Sequence, residues 1–273
     1  MRSIILIMVL ITATLTGCGV VKDTEVPSGA FPGEYYQVTD DKGNVLEFNK
    51  KPTRIYATTL SIEEILVDLV PLNRIVAISE PAADTKISLI ADKAAHISVK
   101  LPQKASTEKI LSLKPDLVIV QENSNAAFIQ SLKDVGLKVY ITKVPTTVKM
   151  VRSRIINLAA AVGEKQQGGK IINELDNKTE TVKKVIGQIP KSEKKNLMAY
   201  SLLGVFGSAE GLFHDICISA GVTNGAALAG LVRGEHLSKE KIVEVDPDIL
   251  MFSDYSSTQE GDSELFRKEV LDD

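Results

Sequence analysis

The feature that most constrains this chain is a segment that occurs twice. Ser106-Thr107-Glu108-Lys109-Ile110-Leu111-Ser112-Leu113-Lys114-Pro115-Asp116-Leu117-Val118 returns 132 residues later as Ser238-Lys239-Glu240-Lys241-Ile242-Val243-Glu244-Val245-Asp246-Pro247-Asp248-Ile249-Leu250. The Ser, Glu, Lys, Ile, Pro and Asp are identical in both copies. Each copy reads as a Ser N-cap, an acid in the first turn, a two-turn helix, a Pro-Asp stop and a buried strand. One such unit is common. Two in register predict two lobes of similar topology with a cleft between them.

The surrounding pattern agrees. Tyr35–Thr39 and Val45–Asn49 flank Asp40-Asp41-Lys42-Gly43-Asn44, a hairpin signal. Strand patterns at Arg54–Ala57, Ile75–Ile78, Leu117–Gln121 and Lys138–Ile141 alternate with helical patterns at Ile62–Val70, Ser106–Leu113 and Asn125–Val135. Such alternation implies an α/β fold with parallel sheets and crossover helices. From Thr147 to about Ile189 only helical periodicity remains, in two runs separated by Gly163 and Gly168-Gly169. The first run is ~24 Å of helix, enough to reach between lobes. Alternation resumes with Leu197–Ser201, Leu212–Ala220, Lys239–Glu244 and Ile249–Phe252. The expected divisions are a first lobe over 35–145, a linking helix region over 146–190 and a second lobe over 191–273.

Residues 1–17 differ in kind. Arg2 precedes an uncharged apolar stretch from Ile4 to Leu15, too short for the ~20 residues of a membrane span but suited to a signal peptide. It ends in Leu15-Thr16-Gly17-Cys18, which resembles the lipobox of bacterial lipoproteins. That resemblance implies lipid on Cys18, a tether over 18–34 and a soluble body held at a membrane surface outside the cytoplasm. Cys217 is then the one thiol left, so no internal disulfide is expected. A formal charge of −3 without a basic run argues against nucleic acid as partner, and the absence of Trp removes a base-stacking platform.

A longer series of motifs resembles the ABC-transporter substrate-binding proteins for iron–siderophore, haem and cobalamin complexes. It runs from Val38-Thr39-Asp40 with Gly43, through Lys51-Pro52-Thr53-Arg54-Ile55, Glu64-Ile65-Leu66 and Arg74-Ile75-Val76-Ala77-Ile78, to the first copy of the repeat. Ala220-Gly221-Val222-Thr223-Asn224 and the second copy complete it. The resemblance implies two Rossmann-like lobes joined by a long rigid helix, ligand in the cleft between them, and an ABC permease with its ATPase as partners of a monomer. Family members carry a further strand and helices after the segment like Phe266–Leu271, and after Phe252 only 21 residues follow, so the second lobe is expected to be incomplete.

The same resemblance assigns roles. Glu108 and Glu240, one acid per lobe, are expected to dock onto basic pockets of the permease, although a first-turn acid also suits a helix dipole. Lys100 and Arg233 precede the repeated helices, where the family's loops face the cleft, and are expected to grip an anionic chelate. Solvated loop cations are the plainer alternative. Thr59, Leu60, Glu80, Gln121, Glu122, Phe206 and Tyr255 lie at strand ends and are further candidate contacts, or else caps and packing residues. His96, His214 and His236 are too few for an ordinary free-metal site. His96 and His236 precede the two repeated helices, so a metal bridge between them is a minor alternative, as is haem-iron ligation by Tyr255 or a His, and no cofactor is expected. With no Trp to cover a corrin or porphyrin, a ferric siderophore is favoured over haem or cobalamin. The enzyme alternative lacks a Gly-rich phosphate loop, a Gly-x-Ser-x-Gly elbow and a Cys–His pair.

Overall fold

The computed structural model describes residues 35–201, 204–232, 235, 239–252 and 268. Hairpin strands β1 (Tyr36–Thr39) and β2 (Val45–Phe48) lead into β3 (Ile55–Ala57), α1 (Leu60–Leu69), β4 (Ile78–Ser79), α2 (Glu80–Ala83), α3 (Ala91–Ala95) and β5 (Lys100–Leu101). Then come α4 (Thr107–Ser112), β6 (Leu117–Gln121), α5 (Ala126–Asp134) and β7 (Val139–Thr142). Two helices follow, α6 (Val148–Ala161) and α7 (Lys165–Ile186). The remainder holds β8 (Asn196–Ser201), β9 (Gly204–Phe206), α8 (Leu212–Ser219), β10 (Thr223–Asn224), α9 (Gly225–Leu228), α10 (Lys239–Val245) and β11 (Ile249–Phe252). Among the described residues no helix is long and apolar enough to cross a membrane.

Strand β6 shows why the first lobe is layered. Leu117 to Val120 are all buried, which a strand achieves only when both sheet faces are covered. With side chains alternating, Leu117 and Ile119 join the core formed with Ile62, Leu66 and Leu158, while Val118 and Val120 join the one formed with Ile110 and Leu132. The sheet runs β3-β6-β7, all parallel, with Ile55 opposite Leu117 and Val118 opposite Val139. In the second lobe β10-β8-β11 is likewise parallel, and β9 pairs antiparallel with β8.

The repeat is visible in three dimensions. Ser106 caps α4 by accepting the Lys109 N–H at 3.3 Å. Lys114 and Asp246, equivalent residues before the two prolines, have φ of 49° and 45°, the left-handed conformation that ends each helix. Each following aspartate then pins the start of the neighbouring strand. Asp116 accepts the N–H groups of Thr53 (2.7 Å) and Arg54 (2.9 Å) and the Thr53 hydroxyl (3.1 Å). Asp248 accepts the Asn196 N–H at 2.7 Å and the Lys195 ammonium at 2.9 Å.

Between the lobes lies a helical hairpin where the resemblance implied one helix. The chain turns at Gly163, φ +76°, after which Gly168 meets Ala159 so closely that an added Cβ would lie 2.4 Å from that methyl. Gly168-Gly169 is therefore not a break but a close crossing inside α7. The turn is bolted to the first lobe: Arg74 donates to the carboxylate of Glu164 and the carbonyl of Val162, both at 2.6 Å, and Lys51 pairs with Glu164 at 3.0 Å. At ~33 Å, α7 outreaches α6 at ~21 Å, and its last turn meets the second lobe, where Ile186 covers Gly221. The N-terminal N–H of α6, on Val148, donates to Asp215 of α8 at 2.6 Å.

Candidate functional site

Parallel sheets place their ligand crevice at the carboxyl ends of the strands. In the first lobe that edge holds a groove of about 530 Å³. Its floor is Tyr56 on β3, followed by Thr58 and Thr59; Ser124, Asn125 and Phe128 enter from the turn after β6 and the start of α5. Gln103, Lys104 and Ala105, just before α4, form the third side. Thr58 extends the β3 ladder, its N–H donating to the Ile119 carbonyl at 3.1 Å. Asn125 caps α5 by accepting from Ala127 (2.8 Å) and Phe128 (3.2 Å).

The electrostatics favour an anion. Thr59 is the N-cap of α1 and lines the groove without a side-chain capping bond, so the positive end of that helix lies at the groove's edge. Two helix N-termini, α1 and α5, together with the exposed Lys104 bring positive potential to one place. The Tyr56 phenol is pushed up to about 12, first by burial and then by the carboxylate of Glu63, and stays protonated as a neutral hydrogen-bonding group. Glu63 is itself buried and its carboxyl is raised by desolvation, although Ser79 donates to it through both N–H and hydroxyl at 2.6 Å.

Of the residues picked out from sequence, Thr59 lines the groove. Lys100 does not. Its ammonium sits on the Ala94 and Ile97 carbonyls at the end of α3, because a lysine stem is long enough to fold back onto the nearest orphan acceptors. Lys104, four positions on, is the cation the groove receives. Leu60 packs against the core. Glu80 is an exposed first-turn acid on α2. Gln121 donates to Ser61 at 3.0 Å, tying the end of β6 to α1. Glu122 pairs with Lys42 at 2.8 Å, which lowers its carboxyl. Phe206 pairs with Ala199 through the β9 backbone. Cys18, Arg233 and Tyr255 fall outside the described residues, as does His236.

Glu108 and Glu240 occupy matching exposed positions in the first turns of α4 and α10. The Glu108 carboxyl is lowered by its own backbone N–H and by Ser106. Sequence reasoning missed Lys104, Ser124, Asn125 and Phe128; the available signal was their position directly after a buried strand or directly before a serine cap. In the second lobe Asn224, the last residue of the Ala220–Asn224 motif, caps α9 and donates to the Gly207 carbonyl at 2.5 Å, a structural role.

Residues 55–273 match the family model described as periplasmic binding protein. Over 254 residues the chain is 23% identical to an uncharacterized ABC transporter substrate-binding lipoprotein, YvrC, of Bacillus subtilis (strain 168), covering 90% of this chain and 79% of that protein. Among solved structures, the apo periplasmic heme-binding protein RhuT from Roseiflexus sp. RS-1 aligns with a TM-score of 0.62 at 23% identity, over 72% of this chain and 74% of its own. A possible iron-binding (periplasmic solute-binding) protein from Staphylococcus epidermidis ATCC 12228 aligns with 0.59 at 21%, over 74% and 77%. These likenesses establish a common fold.

Proposed function

This chain belongs to the periplasmic binding protein family, and we propose that it is the lipid-anchored, extracytoplasmic binding component of an ABC importer for a metal chelate, a ferric siderophore before other candidates. The observation that carries the reading is the groove at the strand ends. It gathers two helix N-termini, Lys104 and the polar side chains of Thr58, Thr59, Gln103, Ser124 and Asn125 around a volume within the ~300–1,000 Å³ of small-molecule sites. Oxygen-rich, anionic ligands need such donors. The names of the relatives, an ABC transporter lipoprotein and iron- or heme-binding proteins, support the same class.

The protein's part is capture and presentation, with no bond made or broken. Donors in the groove replace the chelate's hydration, Arg233 closes on it from the second lobe, and Glu108 and Glu240 present the loaded protein to basic pockets of the permease. Cys18 carries the lipid. Haem is the second reading, favoured by the aromatic faces of Tyr56 and Phe128 in the groove.

Native mass spectrometry with ferric siderophores, haem and cobamides tests the proposal; a Soret band on loading selects haem. Failure to retain any of them overturns it. A charge-assisted hydrogen bond contributes about 1.5–3 kcal/mol, so Lys104→Ala and Arg233→Ala should each weaken the retained chelate roughly ten- to a hundredfold. Glu108→Ala and Glu240→Ala should impair uptake at unchanged affinity, and Cys18→Ala should release the protein from the membrane fraction.

A further inference from the structure

A second cavity lies beside the end of β7, separated from the groove by the first turn of α1. It measures about 230 Å³, and its walls include Asp41 of the hairpin turn, Lys143, and Ser153, Arg154 and Asn157 of α6. It shares no lining residue with the groove. Arg154 is only 4% exposed. Its Nη1 reaches Ser61 at a long 3.4 Å, while its Nε and Nη2 are buried without a partner. Those two nitrogens form one edge of the guanidinium, with parallel N–H bonds spaced for the two oxygens of an oxyanion.

The nearby carboxylate does not fill that edge. Asp41 is taken up by the Lys143 N–H at 2.8 Å, the Asn157 side-chain amide at 3.1 Å and the Thr142 hydroxyl at 3.2 Å. Burial lowers the Arg154 pKa to about 10 against the attraction of Asp41, so the group is still a cation at neutral pH. Arg154 and Lys143 against Asp41 leave the cavity one positive charge in excess. A buried, unpaired guanidinium edge is costly unless something completes it.

We propose that this cavity is a binding site for a small oxyanion, held side-on by the Nε–Nη2 edge of Arg154 with Lys143 at its rim. A single water occupies about 30 Å³ of liquid, so the space has room for an anion of a few heavy atoms together with its waters. The site does not depend on what the groove binds.

The test is calorimetric titration of the full chain with inorganic phosphate and, separately, acetate, at constant ionic strength. Saturable one-to-one binding of either is expected, and the preferred anion distinguishes a phosphate-like from a carboxylate ligand. Arg154→Lys keeps the charge but loses the fork and should weaken binding tenfold or more. Ser153→Phe, which fills the cavity from an exposed helix position and leaves Arg154 in place, should abolish it. Lys104→Ala, which removes the groove's own cation, should leave it unchanged, and circular dichroism verifies that each variant is folded. Absence of saturable binding by both anions, or wild-type affinity in folded Arg154→Lys and Ser153→Phe, overturns the proposal.

Discussion

Leu117 and Ile249 hold the same place in the two copies of the repeat, each opening a strand that pairs in parallel with the earliest strand of its sheet. Leu117 is 0% exposed and Ile249 is 43% exposed. Around β6 the core is continuous on both faces; in the second lobe the described core cluster is Met198, Ala226 and Ile242, with Leu231, Val245 and Leu250 packed against it. Among the described residues, the same local instructions (two turns, left-handed stop, Pro-Asp, strand) thus produce the same backbone at two very different depths of burial. Local conformation and core formation are separable, and the first does not require the second.

The sharpest way to break this comparison is to truncate the matched pair. Leu117→Ala should cost about 2–5 kcal/mol in urea denaturation, as buried Leu truncations do, and Ile249→Ala less than about 1 kcal/mol. Equal losses would mean that the two strands are equally embedded. The aspartate pins come next. Asp116→Ala strands three donors and should destabilise by about 1–3 kcal/mol, with a smaller effect from exposed Asp248→Ala.

Buried charge offers a third test, because the buried carboxylates among the described residues, Asp40 and Glu63, both lie in the first lobe. The Glu63 carboxyl is raised above its ordinary 4.5, so the folded state holds more protons than the unfolded one between 4.5 and that raised value. Stability therefore falls as pH climbs through this window, and Glu63→Gln should flatten the fall. A steeper decline in the variant would contradict the assignment. The smallest effects should be equal in both lobes. Lys114→Gly and Asp246→Gly relieve a left-handed φ at a stop that depends on local geometry alone, and each should gain less than about 1 kcal/mol in thermal melts. Unequal gains would tie the stop to burial after all.

Much of the fold was legible because its signals are strong and local. The Asp40–Asn44 turn, the apolar run Leu117–Gln121 and the paired Pro-Asp stops each read directly as structure. The stretch from Ile78 to Leu101 did not: β4, α2, α3 and β5 are two to five residues long, and contacts such as that between Ser79 and Glu63 hold them in place. Strand β9 escaped notice because it is three residues long, opens on Gly204 and is followed by Gly207, and its pairing is with β8. The groove was legible as a place and only partly as a list. Lys100 and Lys104 look alike in a loop, and only the reach of each side chain to carbonyls or to open space separates them. Arg154 was hidden by its helical pattern, since nothing in α6 marks an arginine as buried.

The two aspartate pins also set an order of events in folding. Asp116 reaches back 62 residues to Arg54 and Asp248 reaches back 52 to Asn196, so neither closure spans the interlobe hairpin. A chain emerging from its N-terminus can close the first loop before Asn196 has been made. The long-range entropy that slows parallel sheets is then paid in two instalments of modest sequence separation rather than one, and a stalled second lobe leaves behind a first lobe already shut.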